Sequence, residues 1–260
     1  MRLLVVPLLL VLLSGCGNAD GHVDPDQVDA MGAPDLGACR ALTPGDATEP
    51  SNASATVPCA RPHTAQTYAV GSLPDRFKGA SYDSQTLVTW AYQECAAGFR
   101  NFTGADESLA MRTIIGWVWF RPSETAWGKG ARWFRCDVVG GGGRETAYVD
   151  LPTRTKGLLA GQPGDRWLVC ANGPSVDHSA KVPCTRKHTW RAVSTIKLGE
   201  PGDPYPGDHA VLARTRDFCS QQIGAYLDYP VDYDYGFSWF HSEEWAAGNR
   251  RSICWARTSA

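Results

Sequence analysis

The sequence predicts an α+β fold in two tandem repeats, each a small antiparallel sheet with one packed helix and two disulfides. Three observations carry this. Val57–Thr64 reads VPCARPHT and Val182–Thr189 reads VPCTRKHT, six identities in eight positions, 125 residues apart. Beyond Cys16 there are eight cysteines, at 39, 59, 95, 136, 170, 184, 219 and 254, and the two sets of four are offset by 131, 125, 124 and 118 residues. A steadily drifting offset is the trace of a duplication with small loop deletions. Finally, Trp127-x-x-Gly130-x-Arg132-x-x-x-Cys136 recurs as Trp245-x-x-Gly248-x-Arg250-x-x-x-Cys254, with Trp119-Phe120 and Trp239-Phe240 just upstream.

The chain opens with Met1-Arg2 and an apolar run, Leu3 to Leu13, broken only by Pro7. That run is short for a bilayer span and reads as a signal segment. Leu13-Ser14-Gly15-Cys16 resembles a bacterial lipobox. The resemblance implies cleavage before Cys16 and lipid attachment to its thiol, hence an anchor on the outer face of the cytoplasmic membrane. Residues 1–16 are therefore expected to be signal peptide and lipobox. Residues 17–35 are rich in Gly, Asp and Pro and poor in large side chains. Such a stretch buries too little apolar surface to offset its ordering entropy, so it is expected to be a disordered tether in which His22 is idle.

Repeat 1 is expected over residues 36–150 and repeat 2 over 163–260. A linker at 151–162 lies in a region punctuated by Pro152, Gly157, Gly161 and Pro163-Gly164. Each repeat begins with a short strand, around Cys39 and at Arg166–Ala171. The β-branched and aromatic stretches His63–Gly71 and His188–Leu198 predict the next strands. Leu87, Val88, Ala91, Tyr92 and Cys95 fall at helical spacing, as do Val211, Leu212, Thr215, Phe218, Cys219 and Tyr226. Ser84 and Asp208 are placed to cap these helices. Each repeat closes with paired strands, Ile114–Arg121 with Ala131–Val139 and Tyr235–Phe240 with Arg250–Ala256. The W-x-x-G stretch lies in their connection, where glycine relieves backbone strain. A repeat of about 100 residues is a normal domain size, so residues 163–260 are expected to fold alone once oxidised.

An even cysteine count outside the cytoplasm reads as a disulfide framework. Four cysteines allow three pairings per repeat. We choose Cys39–Cys59 and Cys95–Cys136, with Cys170–Cys184 and Cys219–Cys254. The first two of each set lie on successive strand segments, the third on the helix's core face and the fourth on the last strand. The helix-to-strand staple closes about 40 residues and contributes roughly 3–4 kcal/mol in the chain-entropy model.

The V-P-C-x-x-P-H type phrase, the helical cysteine and the late W-x-x-G-x-R-x-x-x-C resemble the septum formation domain of secreted and lipid-anchored actinobacterial proteins. The chain is similar to two such domains in tandem, although Lys187 replaces the proline that precedes the histidine in the first copy. The resemblance implies a cell-envelope protein associated with division, and it implies no reaction.

The candidate binding or structural residues are Arg61, His63, Arg186, His188, Trp127, Arg132, Trp245 and Arg250. If the phrase continues as a regular strand, each His shares a strand face with its Cys. It can then hydrogen-bond a neighbouring carbonyl or carboxylate, while Arg132 and Arg250 stack on their Trp residues. Catalysis is not expected: there is no G-x-S-x-G and no H-E-x-x-H. The carboxylates of Asp232-x-Asp234 and Glu243-Glu244 have little echo in the first repeat beyond Ser123-Glu124. Cys59-x3-His63 and Cys184-x3-His188 have ligand-like spacing, but a disulfide removes the thiolate a metal needs, so no metal and no cofactor are expected. A net charge of −2 argues against a nucleic-acid partner.

The aromatic runs Trp117, Trp119, Trp127, Trp133 and Tyr226, Tyr229, Tyr233, Tyr235, Trp239, Trp245 are expected to be mostly core and cross-strand pairs, with ligand contact the competing role. The expected function is a lipid-anchored binding or scaffold module with a cell-wall or envelope-protein partner. The alternatives are a cell-wall hydrolase or its direct regulator, and a metal-handling lipoprotein.

Overall fold

The computed structural model describes residues 23–141 and 147–258; Cys16, the lipobox and His22 lie outside them. In the first half, α1 (Pro25–Val28) precedes β1 (Cys39–Arg40), β2 (Ala65–Ser72), α2 (Gln85–Thr103), α3 (Glu107–Ala110), β3 (Gly116–Phe120), α4 (Glu124–Gly128) and β4 (Trp133–Val139). In the second come β5 (Val169–Asn172), β6 (Ala180–Pro183), β7 (Trp190–Lys197), α5 (Asp208–Tyr226), β8 (Tyr235–Ser238), α6 (Ser242–Ala247) and β9 (Arg251–Arg257). Both halves share one order, two strands, a long helix, a strand, a short helix and a last strand, to which the first half adds α1 and α3 and the second adds β6. The sheets are antiparallel, in the orders β1-β2-β4-β3 and β6-β5-β7-β9-β8. This is the expected α+β tandem architecture.

The two long helices obey one rule. Leu87, Ala91, Cys95, Phe99 and Thr103 are the buried positions of α2, and Val211, Thr215, Cys219 and Ile223 recur every fourth residue on α5. Fourfold spacing sets one stripe of each helix on its sheet. Ser84 caps α2 by accepting from Leu87 N, and Gly104 ends it at φ +80°. In α5 the cap position is Gly207, and Asp208 is the first helical residue instead of the cap. The disulfides join Cys39–Cys59, Cys95–Cys136, Cys170–Cys184 and Cys219–Cys254, the pairs chosen above.

Finer details are duplicated as well. The pairing of β2 with β4 shifts register between Thr67 and Ala69, and that of β7 with β9 between Ala192 and Ser194. Both bulges sit beside the helix-linked cysteine, with Ala69 opposite Cys136 and Ser194 opposite Cys254. The register corrects one sequence correspondence. Trp119 lies opposite Cys136, but Phe237 lies opposite Cys254. Both connections between these strands run twelve residues, so Trp239-Phe240 stands two residues beyond the structural equivalent of Trp119-Phe120, at the positions of Arg121-Pro122.

Two expectations are revised. The tether expected over 17–35 is, from Val23 onward, packed on the first repeat. Val23 bridges Ser54, Asp24 N donates to Ala53 O at 2.7 Å, and Trp133 Nε1 donates to Ala30 O at 3.0 Å. Its few large side chains do not matter, since polar and backbone groups make most of these contacts. The second revision concerns independent folding. One core cluster joins Tyr68, Phe99, Ile114 and Val138 of the first half to Val169, Ala171, Trp190 and Trp255 of the second. Ile114 N donates to Trp167 O at 2.9 Å and Val169 N to Arg112 O at 3.0 Å, so backbone also crosses the seam. A 163–260 fragment would bare that shared apolar face.

Candidate functional site

The repeated phrases form identical turns. Pro58 O accepts from Arg61 N at 2.8 Å, and Pro183 O from Arg186 N at 2.9 Å. His63 Nδ1 lies 2.8 Å from Arg61 O and His188 Nδ1 lies 2.7 Å from Arg186 O. A carbonyl only accepts, so Nδ1 carries the proton in both. The histidines are 1% and 4% exposed, whereas Arg61 and Arg186 point to solvent. The regular strand expected to put Cys and His on one face does not form: the chain turns at Cys59 and Cys184 and re-enters the sheet after the His. Each His locks that turn through its own neighbour's carbonyl.

The W-x-x-G-x-R phrase is a second duplicated clamp. The Arg132 guanidinium stacks 3.9 Å from the Trp127 ring and Arg250 stacks 3.8 Å from Trp245. Arg132 donates to the carbonyls of Trp127, Ala131 and Lys78, and Arg250 to those of Trp245, Asn249 and Glu200. Gly130 and Gly248 adopt φ +99° and +120° between the stacked partners, where a side chain is strained. Trp127 and Trp245 are buried, so all eight candidate residues except Arg61 and Arg186 belong to these internal devices.

The aromatic runs divide as well. Trp127, Trp133 and Trp245 are core, whereas Tyr226 and Tyr229 stand exposed at the end of α5. Trp117 lines a cleft between the two repeats.

That cleft has a volume of about 390 Å³. One wall is the outer face of α2 with Tyr92, Gln93, Ala96 and Arg100, continued by Glu107, Met111 and Trp117. The other wall is Lys197, Pro201 and the turn from Gly248 to Arg251. Thr89 Oγ1 donates to Ala246 O at 2.8 Å, and a Cβ on Gly248 would come within 2.6 Å of the Tyr92 ring, so the walls meet closely at one end. The Tyr92 and Trp117 rings meet edge to face with centroids 5.1 Å apart. Larger by volume is a hollow of about 790 Å³ at Arg76, Phe77, Ser84 and Trp90, but it is a shallow depression on one repeat.

Four cations line the cleft, Arg100, Lys197, Arg250 and Arg251, against one carboxylate, Glu107. Arg251 donates to Glu107 Oε2 from Nε at 3.1 Å and Nη2 at 2.9 Å and to Thr195 Oγ1 at 3.1 Å. The hydrogen bond from Arg251 holds the Glu107 carboxyl below the usual range. Lys197 pairs with Glu200, and Arg250 is spent on its clamp. The Arg100 side chain makes no hydrogen bond or ion pair among the described residues. Burial raises the Tyr92 hydroxyl above its ordinary value, keeping it a neutral donor. Arg250 was singled out from sequence for its clamp. Tyr92, Arg100, Glu107, Lys197 and Asn249 were not singled out as site residues, because only the seam between repeats assembles them.

Among the described residues, no group of three or more His, Cys, Asp or Glu side chains is placed to hold a metal ion, and no helix is long and apolar enough to cross a membrane. Neither a curated protein nor a solved structure is detectably similar to the chain. A family model described as Septum formation matches it twice, over residues 21–120 and 115–254, meeting in β3. With matches spanning most of its length and a duplicated skeleton of strands, helix and disulfides, the chain belongs to the Septum formation family.

Proposed function

We propose that the chain is a non-catalytic binding or scaffold module, lipid-anchored at Cys16 on the outer face of the cytoplasmic membrane, that serves septum formation by engaging a cell-wall or envelope partner. Septum formation is not a known enzyme family. The observation that carries the reading is the inter-repeat cleft: a concave site at a domain seam, with aromatic walls and an uncommitted guanidinium, is where small ligands commonly bind. Its one carboxylate is already committed to Arg251, so it is poorly placed to act as a general acid or base. All eight described cysteines are in disulfides, which withdraws the thiolates that metal handling would use.

The test uses the whole chain tagged at its C-terminus. The protein is expected in the membrane fraction and enriched at division sites, and Cys16→Ser is expected to release it or leave uncleaved precursor. Ala96→Trp, which fills the cleft from α2, should abolish the enrichment while leaving the unfolding midpoint unchanged. Wild-type protein spread evenly around the envelope would contradict the division role, and undisturbed enrichment in Ala96→Trp would contradict the cleft.

A further inference from the structure

We infer that the cleft between the repeats binds a small monoanionic ligand, a short peptide or N-acyl amino acid whose free carboxylate meets Arg100 and whose apolar body lies against Tyr92 and Trp117. This deepens the binding reading above and rests on it.

The inventory of free donors selects the ligand's anionic group. Three of the four cations in the cleft already have partners: Arg251 donates twice to Glu107 Oε2, Lys197 is paired with Glu200, and Arg250 is stacked on Trp245 and bonded to backbone carbonyls. Arg100 alone has no such partner among the described residues. A guanidinium presents a planar fork that matches one carboxylate in two parallel hydrogen bonds. Among the described residues of the cleft, Arg100 is the one guanidinium with its donors free, and its fork satisfies the two oxygens of one carboxylate, whereas a phosphate monoester would leave a third oxygen without a donor.

The walls select the body. The edge-to-face Tyr92 and Trp117 rings, with Ala96 and Met111, form an apolar surface that an inorganic anion cannot use. About 390 Å³ lies within the ~300–1,000 Å³ usual for small-molecule sites, which fits a residue or two of peptide and excludes a folded partner. The excess of positive charge stands on a chain whose net charge is −2, so it is local to this seam and draws anions to it.

The experiment titrates the oxidised mature chain, ¹⁵N-labelled, with N-acetyl-alanyl-alanine, N-acetyl-phenylalanine, their C-terminal amides, and inorganic phosphate. The Trp117 indole N–H, assigned through Trp117→Phe, and the amides of residues 92–100 and 248–251 are followed by NMR. The acids should shift them saturably, and the amides and phosphate should not. Arg100→Gln should weaken binding of the acids at least tenfold with its unfolding midpoint unchanged, and Arg100→Lys should recover part of it. Equal binding of acid and amide, binding of phosphate in place of the acids, or undiminished affinity in Arg100→Gln would each overturn the ligand class while leaving a binding cleft in place. No shift with any probe would overturn the inference, and the cleft's role in the cell would still be read from Ala96→Trp.

Discussion

On the face turned away from its long helix, the first sheet carries Arg40, Thr67, Arg135 and Asp137. The second sheet carries Ala171, Ala192, Ile253 and Trp255 at the register-equivalent positions. In the first sheet these side chains form a buried polar lattice. Arg135 Nε lies 3.0 Å from Asp137 Oδ2, paired by charge without hydrogen-bond alignment, and Thr67 Oγ1 donates to Asp137 Oδ1 at 2.7 Å. Arg40 donates to Thr67 Oγ1 at 2.9 Å and to Ser54 O at 3.1 Å, while Arg135 Nη2 donates to Asn52 Oδ1 at 3.0 Å. The segment from Val23 to Val57 covers the lattice and supplies several of its acceptors. In the second sheet the same face is apolar and docks into the core shared with the first repeat. Disulfides, bulges, histidine turns and Trp–Arg clamps are common to both copies; the chemistry of one face is not. That face decides whether a copy is covered by its own leading segment or by its twin.

The largest effect should come from breaking the polar face. Asp137→Asn leaves two buried guanidinium groups without their central counter-charge, and losing one partner of a buried ion pair costs about 3–5 kcal/mol. Denaturant unfolding should show that loss. A near-neutral result would mean that the lattice does not hold the first face. Burial also pushes the Arg135 guanidinium down to about 10, which fits a charge that relies on Asp137.

Next come the histidine turns, which the comparison predicts to be equivalent. His63→Ala and His188→Ala each remove a buried donor from a backbone carbonyl, at about 1–3 kcal/mol apiece. Matched losses would support a shared structural role. Stability kept in one and lost in the other would break the equivalence and single out the silent histidine for another task.

The smallest effect lies at the seam. Glu107 and Arg251 are partly exposed, so their pair contributes only about 0.2–1 kcal/mol. The folded-state pKa of Glu107 is depressed, so this contribution is present above the unfolded value near 4.5 and is lost as pH falls through the lower folded value. A double-mutant cycle of Glu107→Gln with Arg251→Ala should give a coupling at pH 7 that disappears well below pH 4. A coupling unchanged at low pH would contradict the ion pair.

Much of the skeleton was legible in the sequence, because it rests on periodic and covalent signals. Fourfold spacing along α2 and α5, the drifting cysteine offsets, and the glycines of the W-x-x-G turns are local patterns that the duplication writes twice. The cleft was not legible, since Tyr92, Arg100 and Glu107 come from one repeat and Lys197, Asn249 and Arg251 from the other, and no local pattern encodes which faces meet. A signal for the docking was present in retrospect. Aligning Cys136 with Cys254 sets Arg135-Cys-Asp137 against Ile253-Cys-Trp255, a charged pair against an apolar one. The ordering of residues 23–35 was missed for a related reason: composition measures what a segment can bury by itself, not the acceptors it supplies to Arg40 and Trp133.

The central claim is that the apolar face of the second sheet fuses two copies into one cooperative body. Hydrogen exchange on the oxidised full chain, read at α2 and at α5, tests it directly. The account predicts one shared opening free energy for the cores of both helices, and an equal loss of protection in both when Trp255→Asp places a charge in the seam. Loss of protection in α5 with α2 untouched would show that the repeats unfold independently and would contradict the account.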